Sequence, residues 1–131
     1  MLCDTSFLID LLRGKEISAK KKAEQLDAML VHKAVSTVTV IELWRGAIKA
    51  VQSQEEKKKI EELLTSLLLY SFSEDDAKAS AEIEETLSRA GAMIDLEDIM
   101  IAGTAKVRNE TILTRNKKHF EKIAGLQVET Y

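Results

Sequence analysis

Met1-Leu2-Cys3-Asp4-Thr5-Ser6-Phe7-Leu8-Ile9-Asp10-Leu11-Leu12-Arg13-Gly14 sets the fold. Three apolar residues are followed by a polar turn, and Asp4-Thr5-Ser6 can cap a helix whose apolar positions Phe7, Leu8, Leu11 and Leu12 run on to Gly14. This is strand, polar turn, helix, with a carboxylate at the junction. The same order recurs further along. A β-branched stretch, Ala34-Val35-Ser36-Thr37-Val38, precedes a helix from Val40 to Gln52 that carries Glu42, with Trp44, Ala47, Ile48 and Val51 as its apolar face. A helix from Leu96 to Arg108 opens on Asp95, Glu97 and Asp98.

The segments between complete an alternation. A charged amphipathic helix covers Ser18 to Val31. From Glu55 to Leu68 a second helix repeats Ile60, Leu63, Leu64, Leu67 and Leu68 at helical spacing. Leu69 to Phe72 reads as a short strand, Ser73 caps a helix ended by Gly91, and a strand Thr111 to Thr114, a short helix Lys117 to Ala124 and a strand Gln127 to Glu129 close the chain. Strands alternating with helices imply an α/β domain with a central, mostly parallel sheet of about five strands flanked by helices, in which ligands bind beyond the carboxyl ends of the strands.

With 131 residues, 45% of them hydrophobic, the chain suits a single domain spanning 1–131. No apolar run approaches the ~20 residues that cross a bilayer, and no basic, apolar and small-residue leader pattern opens the sequence, so the expectation is a cytoplasmic protein without a membrane segment. The lone cysteine, Cys3, excludes an internal disulfide and a cysteine-based metal site. A net charge of −3 argues against a general nucleic-acid coat and leaves local basic clusters open.

The acids have ordinary readings too. Asp4 suits an N-cap. Thr39-Val40-Ile41-Glu42 suits a capping box, with Glu42 at its third helical position. Asp98 is harder to absorb, because Asp98, Ile101, Ala102 and Ala105 share one helical stripe and an unpaired carboxylate is rarely buried. Three acids gathered at one sheet edge would offer hard oxygen ligands suited to Mg²⁺ or Mn²⁺. Such ions can drive phosphodiester hydrolysis without a side-chain nucleophile, in a chain with no convincing Ser/His or Cys/His pair.

Four segments carry a resemblance. Leu2 to Asp10, Ser36 to Leu43 with Gly46, Asp98 to Ala105, and Leu113-Thr114-Arg115-Asn116-Lys117-Lys118-His119-Phe120 together resemble a PIN-domain endoribonuclease of the VapC toxin type, in order and over nearly the whole chain. The resemblance implies a PIN-like three-layer sandwich, a homodimer, an RNA substrate, a VapB-like antitoxin partner and a Mg²⁺ or Mn²⁺ cofactor held by Asp4, Glu42 and Asp98. His119 stands where family members commonly place a fourth acid, with Asp95 a weaker substitute. Ser6 and Asn116 would act through water or through other ligands. Arg45, Arg108, Arg115, Lys117 and Lys118 are the candidates for RNA phosphates. The family's antitoxin would place an arginine near the carboxylates, along an apolar groove supplied by Ile60 to Leu68 or by Phe7 to Leu12.

Rival readings separate on chemistry. A haloacid-dehalogenase-like phosphatase needs a second Asp two residues after the first, where this chain has Ser6, and a receiver-like domain needs an acid set that cannot be assigned. A binding module of the same fold with weakened catalysis is the alternative, prompted by His119.

Overall fold

The computed structural model describes residues 1–131. Its elements are β1 (Leu2–Cys3), α1 (Thr5–Arg13), α2 (Ile17–Ala28), β2 (Ala34–Ser36), α3 (Thr37–Lys49), α4 (Ser53–Thr65), β3 (Leu68–Tyr70), α5 (Glu74–Arg89), α6 (Leu96–Val107), β4 (Ile112–Leu113), α7 (Lys117–Phe120) and β5 (Val128–Glu129). The five strands form one sheet in the order β3-β2-β1-β4-β5. Every pairing is parallel, so the expected mostly parallel sheet is wholly so.

Strand geometry explains the three layers. Successive side chains leave a strand on opposite faces. Leu2, Ala34 and Ile112 accordingly join one core with Ile83, Leu87, Ile99, Ala102 and Phe120. Their neighbours Cys3, Val35 and Leu113 join the other, with Phe7, Leu8, Leu26, Leu43 and Ile60. Burial pushes the Cys3 thiol up to about 12, so it packs as a small inert residue. Gly14 ends α1 with a left-handed φ of 64°, its amide donating to Asp10 O at 3.1 Å. Helix α6 is buried on almost every side, from Ile99 through Ala105, because it packs in the first of these cores beside Ile83 and Leu87 of α5. No helix is long and apolar enough to cross a membrane.

Two expectations for α3 are corrected. The helix begins at Thr37, with Ser36 as N-cap accepting from the Thr39 amide at 3.2 Å, so Glu42 lies in the second turn and there is no Thr39–Glu42 capping box. The buried face is Val38, Thr39, Leu43 and Ala47, while Ile48 and Val51 are exposed and Trp44 is half-buried. Elsewhere α4 starts and stops earlier than its leucine stripe suggests, because Leu68 has already entered β3.

The strand order fixes where the site sits. The chain builds outward from β1 through β2 to β3, then returns to place β4 on the other side of β1. A crevice opens at such a reversal, beyond the carboxyl ends of the strands. Asp4 follows β1 and Thr114 follows β4 there.

Candidate active site

Asp4 occupies the N-cap position of α1, but its side chain makes no capping hydrogen bond. Its Oδ2 instead accepts from the hydroxyls of Ser6 at 2.8 Å and Thr114 at 2.7 Å. Ser6 in turn accepts from the Arg115 amide at 3.1 Å, and Thr114 Oγ1 accepts from the Asn116 amide at 2.9 Å. One carboxylate oxygen of a residue only 2% exposed is thus held jointly from α1 and from the end of β4. The other, Oδ1, makes no hydrogen bond within the chain and keeps contact with solvent.

Glu42 reaches the crevice from α3, where its Oε1 accepts from Thr5 Oγ1 at 2.6 Å. Burial raises its pKa first, and the charges of Asp4, Asp98 and Glu97 raise it further, against the Thr5 hydrogen bond. Asp98 enters from the first turn of α6, its side chain 15% exposed, with Oδ2 2.9 Å from His119 Nδ1. Its pKa is raised mainly by burial and further by Asp4 and Asp95, with His119 opposing. The three acids therefore lie within one another's fields, although no three acidic, histidine or cysteine groups close on a common point. Each is held by its own neighbour: Asp4 by Ser6 and Thr114, Glu42 by Thr5, Asp98 by His119.

The basic candidates divide. Lys117 and Lys118 form no ion pair and, with Arg115, Asn116, His119 and Glu121, line a depression without apolar residues. Arg45 is exposed and approaches Glu97 at 3.5 Å, beside the acids. Arg108 is corrected: its Nη1 donates to buried Asp76 at 2.7 Å and to Thr104 O at 3.1 Å, and its guanidinium lies 4.7 Å over the Tyr70 ring. It terminates α6, at the opposite end from Asp98, and is committed to the fold. Asp95 is the N-cap residue of α6 and acts on Asp98 only through its charge. Thr5, Thr114 and Asp10 went unassigned in the sequence, since hydroxyls and a lone acid on an apolar helix carry no spacing signal.

A family model for the PIN domain matches residues 1–126. A Ribonuclease VapC from Rickettsia bellii is 31% identical over 99% of this chain and 95% of its own length. The chain belongs to the PIN domain family, in its VapC group. This PIN domain is also similar to a tRNA(fMet)-specific endonuclease VapC from Shigella flexneri, 27% identical over 99% of the chain and 96% of the relative. Its fold matches a crystal structure of VapBC2 from Rickettsia felis bound to a promoter DNA fragment, with a TM-score of 0.92 and 25% identity over 99% of this chain and 97% of that one. The PIN-like sandwich expected from the sequence is the fold observed.

Proposed function

We propose that this PIN domain is the toxin of a VapBC-type pair, an endoribonuclease that uses Mg²⁺ or Mn²⁺ and is silenced by a VapB-like antitoxin. One observation carries the reading: three carboxylates from β1, α3 and α6 share one field at the sheet's reversal point, without a basic side chain to neutralise all three. Mutual repulsion of this kind is relieved by a cation, and the donors are hard oxygens, which suits Mg²⁺ or Mn²⁺ better than zinc. Asp4, Glu42 and Asp98 would hold the ion, Asp4 through the oxygen that Ser6 and Thr114 leave free.

When bound, the ion supplies Lewis acidity toward the phosphate and water acidic enough to attack near neutral pH. The chain's own residues do the rest. Ser6 and Thr114 fix the rotamer of Asp4, Thr5 fixes Glu42, and His119 fixes Asp98. Lys117, Lys118 and Arg45 stand at the rim, where cations offset the repulsion between an acidic site and a polyanion. Asn116 lines the same rim.

Partner binding follows from the surface around the acids. A groove lined by Ile9 and Leu12 of α1, Leu43 and Ala47 of α3 and Ile60 of α4 reaches Glu42. Both segments suggested by the sequence therefore contribute to one groove, along which an antitoxin arm would bring a basic side chain to the carboxylates. On the other side of α3, Val40, Ile41, Trp44, Ile48 and Leu64 form an apolar surface suited to a second copy in a homodimer.

The deciding experiment is cleavage of structured and single-stranded RNA by the antitoxin-free protein in Mg²⁺ or Mn²⁺, with chelator and with Asp98→Asn alongside. Cation-dependent cutting lost in the variant is expected. A folded protein that cuts no RNA in either cation would favour the catalytically silent binding module.

A further inference from the structure

Asp10 sits on α1 between Ile9 and Leu11, and its side chain is 3% exposed. A carboxylate buried this deeply is costly unless it is paired and hydrogen-bonded. Its partners come from the far end of the chain. Arg115 Nη1 lies 3.0 Å from both Oδ1 and Oδ2, and the Tyr131 hydroxyl donates to Oδ2 at 2.6 Å. The Tyr131 ring is seated edge-on against Phe7, with centroids 4.9 Å apart. Burial and the Asp10 charge push the Tyr131 hydroxyl far above its ordinary pKa, so it remains a donor.

Arg115 is held at both ends, yet its side chain is 54% exposed. Its amide donates to Ser6 Oγ at 3.1 Å, and Ser6 donates to Asp4 at 2.8 Å, which ties its backbone to the acidic crevice. At its tip only Nη1 is used. Nη2 and Nε make no hydrogen bond within the chain. An arginine that serves a carboxylate alone commonly presents two nitrogens to it, whereas here one nitrogen spans both oxygens and the rest of the fork is left over. That remainder borders the depression lined by Asn116, Lys117, Lys118 and His119. Stability alone is a weak reason to keep such a pair, since an apolar replacement of similar volume is often neutral or better.

The structure assigns Asp10 and Tyr131 as positioning residues that aim the free edge of the Arg115 guanidinium at an RNA phosphate beside the acidic crevice. This rests on the nuclease reading above and adds the device that orients its phosphate contact. Neither Asp10 nor Tyr131 touches substrate; both act through Arg115, and a guanidinium already ordered by them loses less freedom when the polyanion arrives.

The test measures binding of a fluorescein-labelled single-stranded RNA in chelator, where chemistry is silent, and KM and kcat for cleavage of the same RNA in Mn²⁺. Arg115→Ala is expected to weaken binding about tenfold. It should also flatten the dependence of log Kd on log salt by about 0.7. Tyr131→Phe keeps the charge, the ring and its seat on Phe7, so it should fold; it is expected to weaken binding and raise KM several-fold at unchanged kcat. In the Arg115→Ala background the same change should have no effect on binding. Tyr131→Phe lowering the melting temperature while Kd and KM stay at wild-type values overturns the assignment, as does a full effect surviving in the double variant. Wild type that binds RNA through Arg115 but never cuts it would sink the nuclease reading and keep this subsite; wild type that binds no RNA would sink the subsite.

Discussion

His119 Nδ1 lies 2.9 Å from Asp98 Oδ2, so the residue that the resemblance sets at a fourth acidic position is hydrogen-bonded to the acid of α6. The contact holds Asp98 by a hydrogen bond where a carboxylate would have repelled it. His119→Asp restores the acid and adds a like charge next to Asp98. In chelator this variant should melt below wild type, and in Mn²⁺ it should bind the ion several-fold more tightly, since affinity in oxygen-ligand sites rises with the count of charged ligands. Calorimetric titration with Mn²⁺ decides it; an affinity equal to wild type would mean that position 119 lies outside the ion's reach.

Glu42 links the site to stability through pH. Burial and the neighbouring acids raise its pKa in the folded state. Between its ordinary and its raised value the native state binds more protons than the unfolded chain, so stability falls as pH rises through that window, and the penalty is complete above it. Glu42→Gln removes the charge and leaves a carbonyl oxygen for Thr5. The variant should melt about 1–3 °C above wild type at neutral pH. That advantage should vanish as the pH falls below the ordinary range of a glutamic acid, where both proteins are uncharged at this position. RNA cleavage should be lost throughout. Thermal melts across pH test the sign, and an advantage that grew toward acid would contradict it.

What the sequence disclosed and what it withheld have separate physical origins. Strand followed by acid is a local pattern, and in a parallel sheet it delivers Asp4, after β1, and Glu42, on the helix after β2, to the same edge. Asp98 opens a helix that follows α5 rather than a strand, and its mark was a carboxylate in line with an apolar stripe. Local propensity misplaced the start of α3: Thr37, Val38 and Thr39 are β-branched, yet they form its first turn because Ser36 caps it and Val38 and Thr39 are buried against the core. It also rotated the stripe, since Ala47 joins the core as expected but Leu43, rather than Ile48 and Val51, stands beside it there. The occupation of Arg108 by Asp76, 32 residues away, and of Arg115 by Asp10, 105 away, leaves no trace in spacing. Long-range pairing decides how much of each guanidinium is left for RNA: Arg108 spends both Nη1 and Nη2 on the fold, whereas Arg115 spends Nη1 alone.

Gly103 marks a close approach of α5 to α6. A Cβ there would stand 2.1 Å from Ser80 Oγ and 2.8 Å from the Asp76 carbonyl oxygen. The hydroxyl can rotate away; the backbone carbonyl cannot. Gly103→Ala should therefore cost about 1–3 kcal/mol through displacement of α5. Adding Ser80→Ala should recover only part of it, and full recovery in denaturant titrations would show that the carbonyl is not the obstacle.

Arg108→Ala separates a structural arginine from the RNA candidates. Asp76 is wholly buried, and burial works to raise its pKa, but hydrogen bonds from Arg108, Ser73 and Thr104 more than offset it and leave the pKa below its usual value. A depressed carboxylate stabilises the fold at all pH values above its ordinary range and loses that contribution as pH falls through its folded value. Without Arg108 the charge is left buried with the Ser73 and Thr104 hydroxyls and no cation. Losing one partner of such a pair costs about 3 kcal/mol, or roughly 10 °C in melting temperature for a domain of this size. Its RNA affinity, measured below the melting transition, should keep the wild-type salt slope. Lys117→Ala and Lys118→Ala, whose side chains have no ion-pair partner, should do the reverse, each lowering the slope by about 0.7 with melting unchanged. A lowered slope in Arg108→Ala would return that residue to the RNA surface.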